Sequence, residues 1–128
     1  MRKPSPIPAP LEEREQQWLF QWAADAALKW PELELMHAIP NGGKRDRVTA
    51  AKLKAEGVKP GIPDIFLPVP RGGFHGLYIE MKRTRGGRPS EAQRDMIPKL
   101  RAQGYRVELC KGFNAAADVI EAYLGNRE

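Results

Sequence analysis

Between Gly61 and Gln93 the chain carries residues of three types that together can do phosphate chemistry. Asp64 closes Gly61-Ile62-Pro63-Asp64, Glu80 and Lys82 flank Met81 in Ile79-Glu80-Met81-Lys82, and Gln93 ends Pro89-Ser90-Glu91-Ala92-Gln93. Residues two apart on a strand project from one face, so a strand here gives Glu80 and Lys82 a common face. A neighbouring strand that starts at Asp64 brings a second carboxylate beside Glu80. Two carboxylates that close repel unless a cation lies between them, and Mg²⁺ and Mn²⁺ are the cations that prefer oxygen ligands. Such a metal activates water and stabilises charge on a phosphodiester, while a lysine beside it orients the water or offsets that charge. Spacing alone also admits a plainer arrangement, with Asp64 capping a turn and Glu80 and Lys82 on an exposed sheet face.

The elements around these residues follow from periodicity and breakers. Trp18, Leu19, Trp22, Ala23, Ala26 and Trp30 recur at helical spacing from Leu11 until Pro31 stops the run, predicting an amphipathic helix with these residues inward. Glu34–Ile39 reads as a short strand ended by Pro40-Asn41-Gly42-Gly43. A second helix is expected from Arg45 to Glu56, with Val48, Ala51, Lys52 and Ala55 at helical spacing and Gly57 as its stop. Strands at Ile62–Leu67 and Gly76–Lys82 are near enough to pair as an antiparallel hairpin. Ser90 begins a helix reaching Gln103, with Gln93 completing a capping box, and Pro98 should bend it. Tyr105–Lys111 is a fourth strand, and Asn114 caps a last helix whose inward face is Ala116, Val119, Ile120, Tyr123 and Leu124. The order α-β-α-β-β-α-β-α predicts one α/β domain over residues 11–128, a mixed central β-sheet flanked by helices. Residues 1–10 hold four prolines and read as a flexible tail.

With 128 residues the chain fits a single core. Its 21 Lys+Arg against 16 Asp+Glu give a net charge of +5, which favours an anionic partner, nucleic acid before membrane. The excess concentrates in two places, Lys44, Arg45, Arg47, Lys52 and Lys54 on the second helix and Arg83, Arg85 and Arg88 in the loop after the Glu-Met-Lys strand. Each is either a solvated face or a set of phosphate contacts that position DNA without reading its sequence. Asn41, in a Gly-rich loop, is either a turn residue or a polar group that approaches DNA. A single cysteine, Cys110, excludes an intrachain disulfide and a Cys-rich zinc site. No apolar run approaches the roughly 20 residues that span a bilayer, and the proline-rich start is no secretory signal, so a cytoplasmic location is expected. His37 and His75 lie outside the motif and read as structural or surface residues.

Gly61-Ile62-Pro63-Asp64, Glu80-Met81-Lys82 and Ser90-Glu91-Ala92-Gln93 resemble the motifs of the VRR-NUC (virus-type replication-repair nuclease) family, within the PD-(D/E)xK nuclease superfamily. Ile39-Pro40-Asn41-Gly42-Gly43, Lys54–Pro60 and Leu100–Tyr105 are similar to its stand-alone phage and bacterial members. The resemblance implies a restriction-endonuclease-like core and a divalent-metal-dependent DNA endonuclease using Mg²⁺ or Mn²⁺. Asp64 and Glu80 match its acidic metal ligands, with the Met81 carbonyl as a further ligand. Lys82 matches its catalytic lysine, and Gln93 its glutamine on the following helix. The family also places an acidic residue on the first helix as a further catalytic acid and metal ligand, which Glu12 fits best, with Glu13 and Glu15 as alternatives. Single-domain members look like homodimers that cut branched DNA such as Holliday junctions. A flap, duplex or sequence-specific nuclease, a DNA-binding module without cleavage and a small-molecule enzyme are the competing readings.

Overall fold

Alternation along Leu77-Tyr78-Ile79-Glu80-Met81-Lys82 builds the central strand. In the computed structural model, which describes residues 11–40 and 47–126, strand β3 spans Leu77–Lys82, and Leu77, Ile79 and Met81 on one side are fully buried. Strand β2 (Ile65–Leu67) pairs with it antiparallel, and β1 (His37–Ala38) pairs antiparallel with β2. On the far side β4 (Arg106–Lys111) runs parallel to β3. Parallel neighbours need a crossover, which helix α3 (Glu91–Ala102) supplies. The sheet is therefore mixed, in the order β1-β2-β3-β4.

Helices α1 (Glu12–Ala26) and α4 (Phe113–Gly125) pack on each other and on β3, closing one face of the sheet. Leu19, Ala23, Ile65, Leu67, Ile79, Met81, Ile120 and Leu124 form the core there. Removing any of the larger ones should cost about 2–5 kcal/mol, since the cavity left cannot close fully. Tyr123 is buried among them and its hydroxyl donates to the Val69 carbonyl. The opposite face, which carries Glu80 and Lys82, is covered by α3 through Gln93 and Ile97. Cys110 is buried and free, and burial pushes its thiol up to about 11. Among the described residues no helix is long and apolar enough to cross a membrane.

The mixed sheet flanked by helices follows the expected element order, with local departures that have physical causes. Proline fixes the backbone angle that starts a tight helical turn, so Pro31–Leu35 is a 3₁₀ helix and the expected strand at 34–39 shrinks to His37–Ala38. Helix α1 ends at Ala26, ahead of Pro31; its buried residues are Glu15, Leu19 and Ala23, while Trp18 faces solvent at 39% exposure. Strand β2 begins only at Ile65, because Ile62–Asp64 leads in as an irregular segment. Helix α2 (Arg47–Ala55) buries no residue, so its helical spacing marks a helix without a core face. Asn114 does not cap α4: the helix starts two residues earlier than that cap would set it, with Gly112 as N-cap and a carboxylate from α1 accepting from the Phe113 N–H. The proline tail, Asn41, Lys44 and Arg45 lie outside the described residues.

Candidate active site

The register of the hairpin brings the two carboxylates together. Ile65 is paired with Ile79, so one further antiparallel step sets Asp64 opposite Glu80. Asp64 is held there by the Met81 backbone N–H, which donates to its Oδ2 at 2.9 Å. Pro63 is fully buried and anchors the lead-in, and Gly61 has φ +88°, a backbone region that side chains avoid. A Cβ at Gly61 would overlap the Ala92 carbonyl, so only glycine lets this segment pass so close to the first turn of α3. In a paired strand the N–H and C=O of one residue point to the same edge. The Met81 carbonyl therefore leaves β3 on the edge that faces Asp64.

Glu80 is 3% exposed, and its Oε1 is buried with no hydrogen-bond partner among the described residues. Its Oε2 lies 3.4 Å from Lys82 Nζ, whose side chain is 10% exposed. Burial, and then the negative charge of Asp64, push the Glu80 carboxyl up to about 7, while the Lys82 ammonium and the Gln93 side chain pull it down. A buried Glu80 whose charged form is disfavoured beside a second carboxylate, with one oxygen lacking a donor among the described residues, forms an environment that a cation would satisfy.

Gln93 does two jobs at once. Its Oε1 accepts from the Ser90 N–H while Ser90 Oγ accepts from the Gln93 N–H, which completes the expected capping box. With its oxygen committed to the helix end, the side-chain amide nitrogen is what it has left to offer as a donor toward Glu80. Ser90, Ala92 and Gln93 at the helix start line the cleft, which brings the positive end of the α3 dipole to its edge.

These groups share one open cleft of about 630 Å³. Glu12, Lys54, Lys59, Asp64, Glu80, Lys82, Ser90 and Gln93 supply its polar lining; Ala50, Leu53, Val58, Pro60 and Ala92 supply an apolar wall. Of the three candidate acids on α1, Glu12 alone faces this cleft: Glu13 lines a separate groove with Phe20 and Ala38, and Glu15 is buried against the start of α4. Glu12 stands apart from the Asp64–Glu80 pair, since among the described residues no three Asp, Glu, His or Cys side chains gather closely enough to hold an ion. Lys54 reaches the cleft, whereas Lys52 sits on the exposed side of α2. Arg85 and Arg88 are exposed in the loop after β3 and Arg83 is half-buried there. His37 and His75 are exposed and line none of this cleft. Sequence reasoning passed over Lys59 and the apolar wall; the signal was present, since Lys54 to Pro60 leads directly into Gly61.

Comparison with known proteins bears on the family and the fold. A family model described as the VRR-NUC domain matches residues 7–114. Among solved structures, one titled "VRR_NUC domain protein" superposes with a TM-score of 0.83 at 29% identity, covering 95% of this chain and 94% of that one. Among curated proteins there is no match.

Proposed function

The chain belongs to the VRR-NUC family of nucleases, and we propose that it is a divalent-metal-dependent DNA endonuclease that hydrolyses phosphodiester bonds in branched DNA such as four-way junctions. The observation that carries this reading is the Asp64–Glu80 pair, with half-buried Asp64 beside buried Glu80 and Lys82 and with Glu80 Oε1 lacking a donor among the described residues. Asp64, Glu80 and the Met81 carbonyl are the protein groups that fit Mg²⁺ or Mn²⁺, both of which take oxygen ligands and keep several waters. When bound, the metal supplies Lewis-acid stabilisation of the phosphoryl group and lowers the pKa of water.

The chain's own residues do the rest. Lys82 is steered by Glu80 to present its ammonium inside the cleft, where it orients the attacking water and offsets charge on phosphorus. Gln93 holds the Glu80 carboxylate from the α3 side, and the first turn of α3 favours a phosphate there. Glu12 closes the cleft from α1 as a further acid that accepts from water. Lys54 and Lys59 beside the cleft, with Lys52, Arg83, Arg85 and Arg88 further out and Asn41 in the Gly-rich loop, meet the DNA backbone. A homodimer in the cytoplasm completes the proposal, because two sites related by a two-fold suit paired cuts in a symmetric junction.

The test is cleavage of labelled four-way junction, flap and linear duplex DNA by purified protein with Mg²⁺, Mn²⁺ or EDTA. Metal-dependent cutting with the junction preferred is the expected result. Equal cutting of linear duplex would remove the branched-DNA assignment, and cutting in EDTA would remove the metal.

A further inference from the structure

Glu15 has no place in the cleft, yet it is 6% exposed and carries a carboxylate. That carboxylate accepts from the backbone N–H of Phe113, the first residue of α4. The N-cap of α4 is Gly112, which has no side chain to cap with, and Glu15 supplies from another helix a side-chain acceptor for one of the N–H groups that the first turn leaves without an intrahelical partner. The fit is tight: Gly112 sits at φ +91°, and a Cβ there would lie 2.8 Å from Glu15 Oε2 and 2.6 Å from Thr84 Cγ2. The Gly112 N–H in turn donates to the Lys82 carbonyl at 3.1 Å. A continuous path of contacts thus runs from α1 through the start of α4 to the end of β3 that carries Lys82. Glu12, which lines the cleft with Lys82, lies one helical turn before Glu15.

We propose that Glu15 is a positioning residue: its bond to the Phe113 N–H sets α1 against the end of β3 and so fixes Glu12 relative to Lys82. The proposal rests on the nuclease reading of the cleft. Glu15 touches neither substrate nor the paired carboxylates; it acts through the placement of Glu12. Because displacement of about 1 Å can cost on the order of 100-fold in rate, a lost anchor registers in turnover more than in DNA affinity.

The full-length protein is compared with Glu15→Leu, which fills the space without an acceptor, and Glu15→Gln, which keeps a carbonyl oxygen in place. The readouts are kcat and KM on four-way junction DNA with Mg²⁺, and hydrogen exchange at the Phe113 amide. Expected for Glu15→Leu is a kcat about 10- to 100-fold lower, KM within about twofold and faster exchange at Phe113; Glu15→Gln returns both close to wild type. A Glu15→Leu variant with wild-type kcat, or a Glu15→Gln variant as impaired as Glu15→Leu, overturns the proposal. Should Glu15→Leu not fold, Glu15→Asp replaces it, keeping the charge but withdrawing the oxygen by one methylene. The same loss of kcat is expected from it, and a wild-type kcat there overturns the proposal equally. A wild-type protein that cuts no DNA removes the nuclease reading and the catalytic half of this proposal with it. Unchanged Phe113 exchange in a protein that does cut removes the anchor alone.

Discussion

Asp64→Asn should make the metal-free protein more stable above neutral pH while it abolishes cleavage. The folded protein holds the Glu80 carboxyl at about 7, against an ordinary value of 4.5. Between those values the native state binds a proton that the unfolded state has released, so stability falls as pH rises from 4.5 through 7. Above 7 the full penalty is present, on the order of 3 kcal/mol for a shift of this size. Burial is the largest cause and survives the substitution; the Asp64 charge is the next largest and does not. Asp64→Asn therefore removes part of the penalty, and each pKa unit by which the Glu80 carboxyl falls back returns about 1.4 kcal/mol. The new amide oxygen can still accept from Met81 N–H, so the hairpin contact is kept. For a domain of this size each kcal/mol returned raises Tm by about 3–5 °C. The assay is thermal unfolding in EDTA at pH 5 and pH 8. The variant should match wild type at pH 5, where Glu80 is protonated in both, and exceed it at pH 8. A difference that does not change with pH, or a lower Tm at pH 8, refutes the reasoning that the two carboxylates repel.

Three further outcomes follow from the same contacts. Gly61→Ala should lower both Tm and kcat, because the added Cβ meets the Ala92 carbonyl at a positive φ and pushes Asp64 away from Glu80; unfolding and cleavage assays together check it. Tyr123→Phe leaves the buried Val69 carbonyl without its donor and should cost about 1–3 kcal/mol by denaturant unfolding, with kcat unchanged for the protein that remains folded. Lys54→Ala should weaken DNA binding and reduce the slope of log affinity against log salt by about one, as measured by fluorescence anisotropy.

Much of the site was legible because it depends on short-range periodicity. Two-residue alternation put Glu80 and Lys82 on one strand face, and the short separation of the two strands pointed to the hairpin whose register sets Asp64 opposite Glu80. Ser90 and Gln93 announced their capping box through spacing alone. What stayed hidden depends on contacts distant in sequence. The family pattern favoured Glu12 over Glu13 and Glu15, but the different surroundings of the three arise only when α1 docks on α4 and the sheet. Asn114 looked like the cap of α4 because the true acceptor comes from α1, 98 positions away. Helix α2 carries helical spacing yet buries nothing, since periodicity reports a face without reporting whether anything covers it.

The account stands most directly on one measurement: cleavage of four-way junction DNA with Mg²⁺ by wild type and by Asp64→Ala, with folding of both verified by circular dichroism. Loss of one of the two carboxylates that fit the metal should lower kcat by at least about 1,000-fold, or about 4 kcal/mol of transition-state stabilisation. Cleavage by Asp64→Ala at the wild-type rate would contradict the assignment of this cleft as the active site.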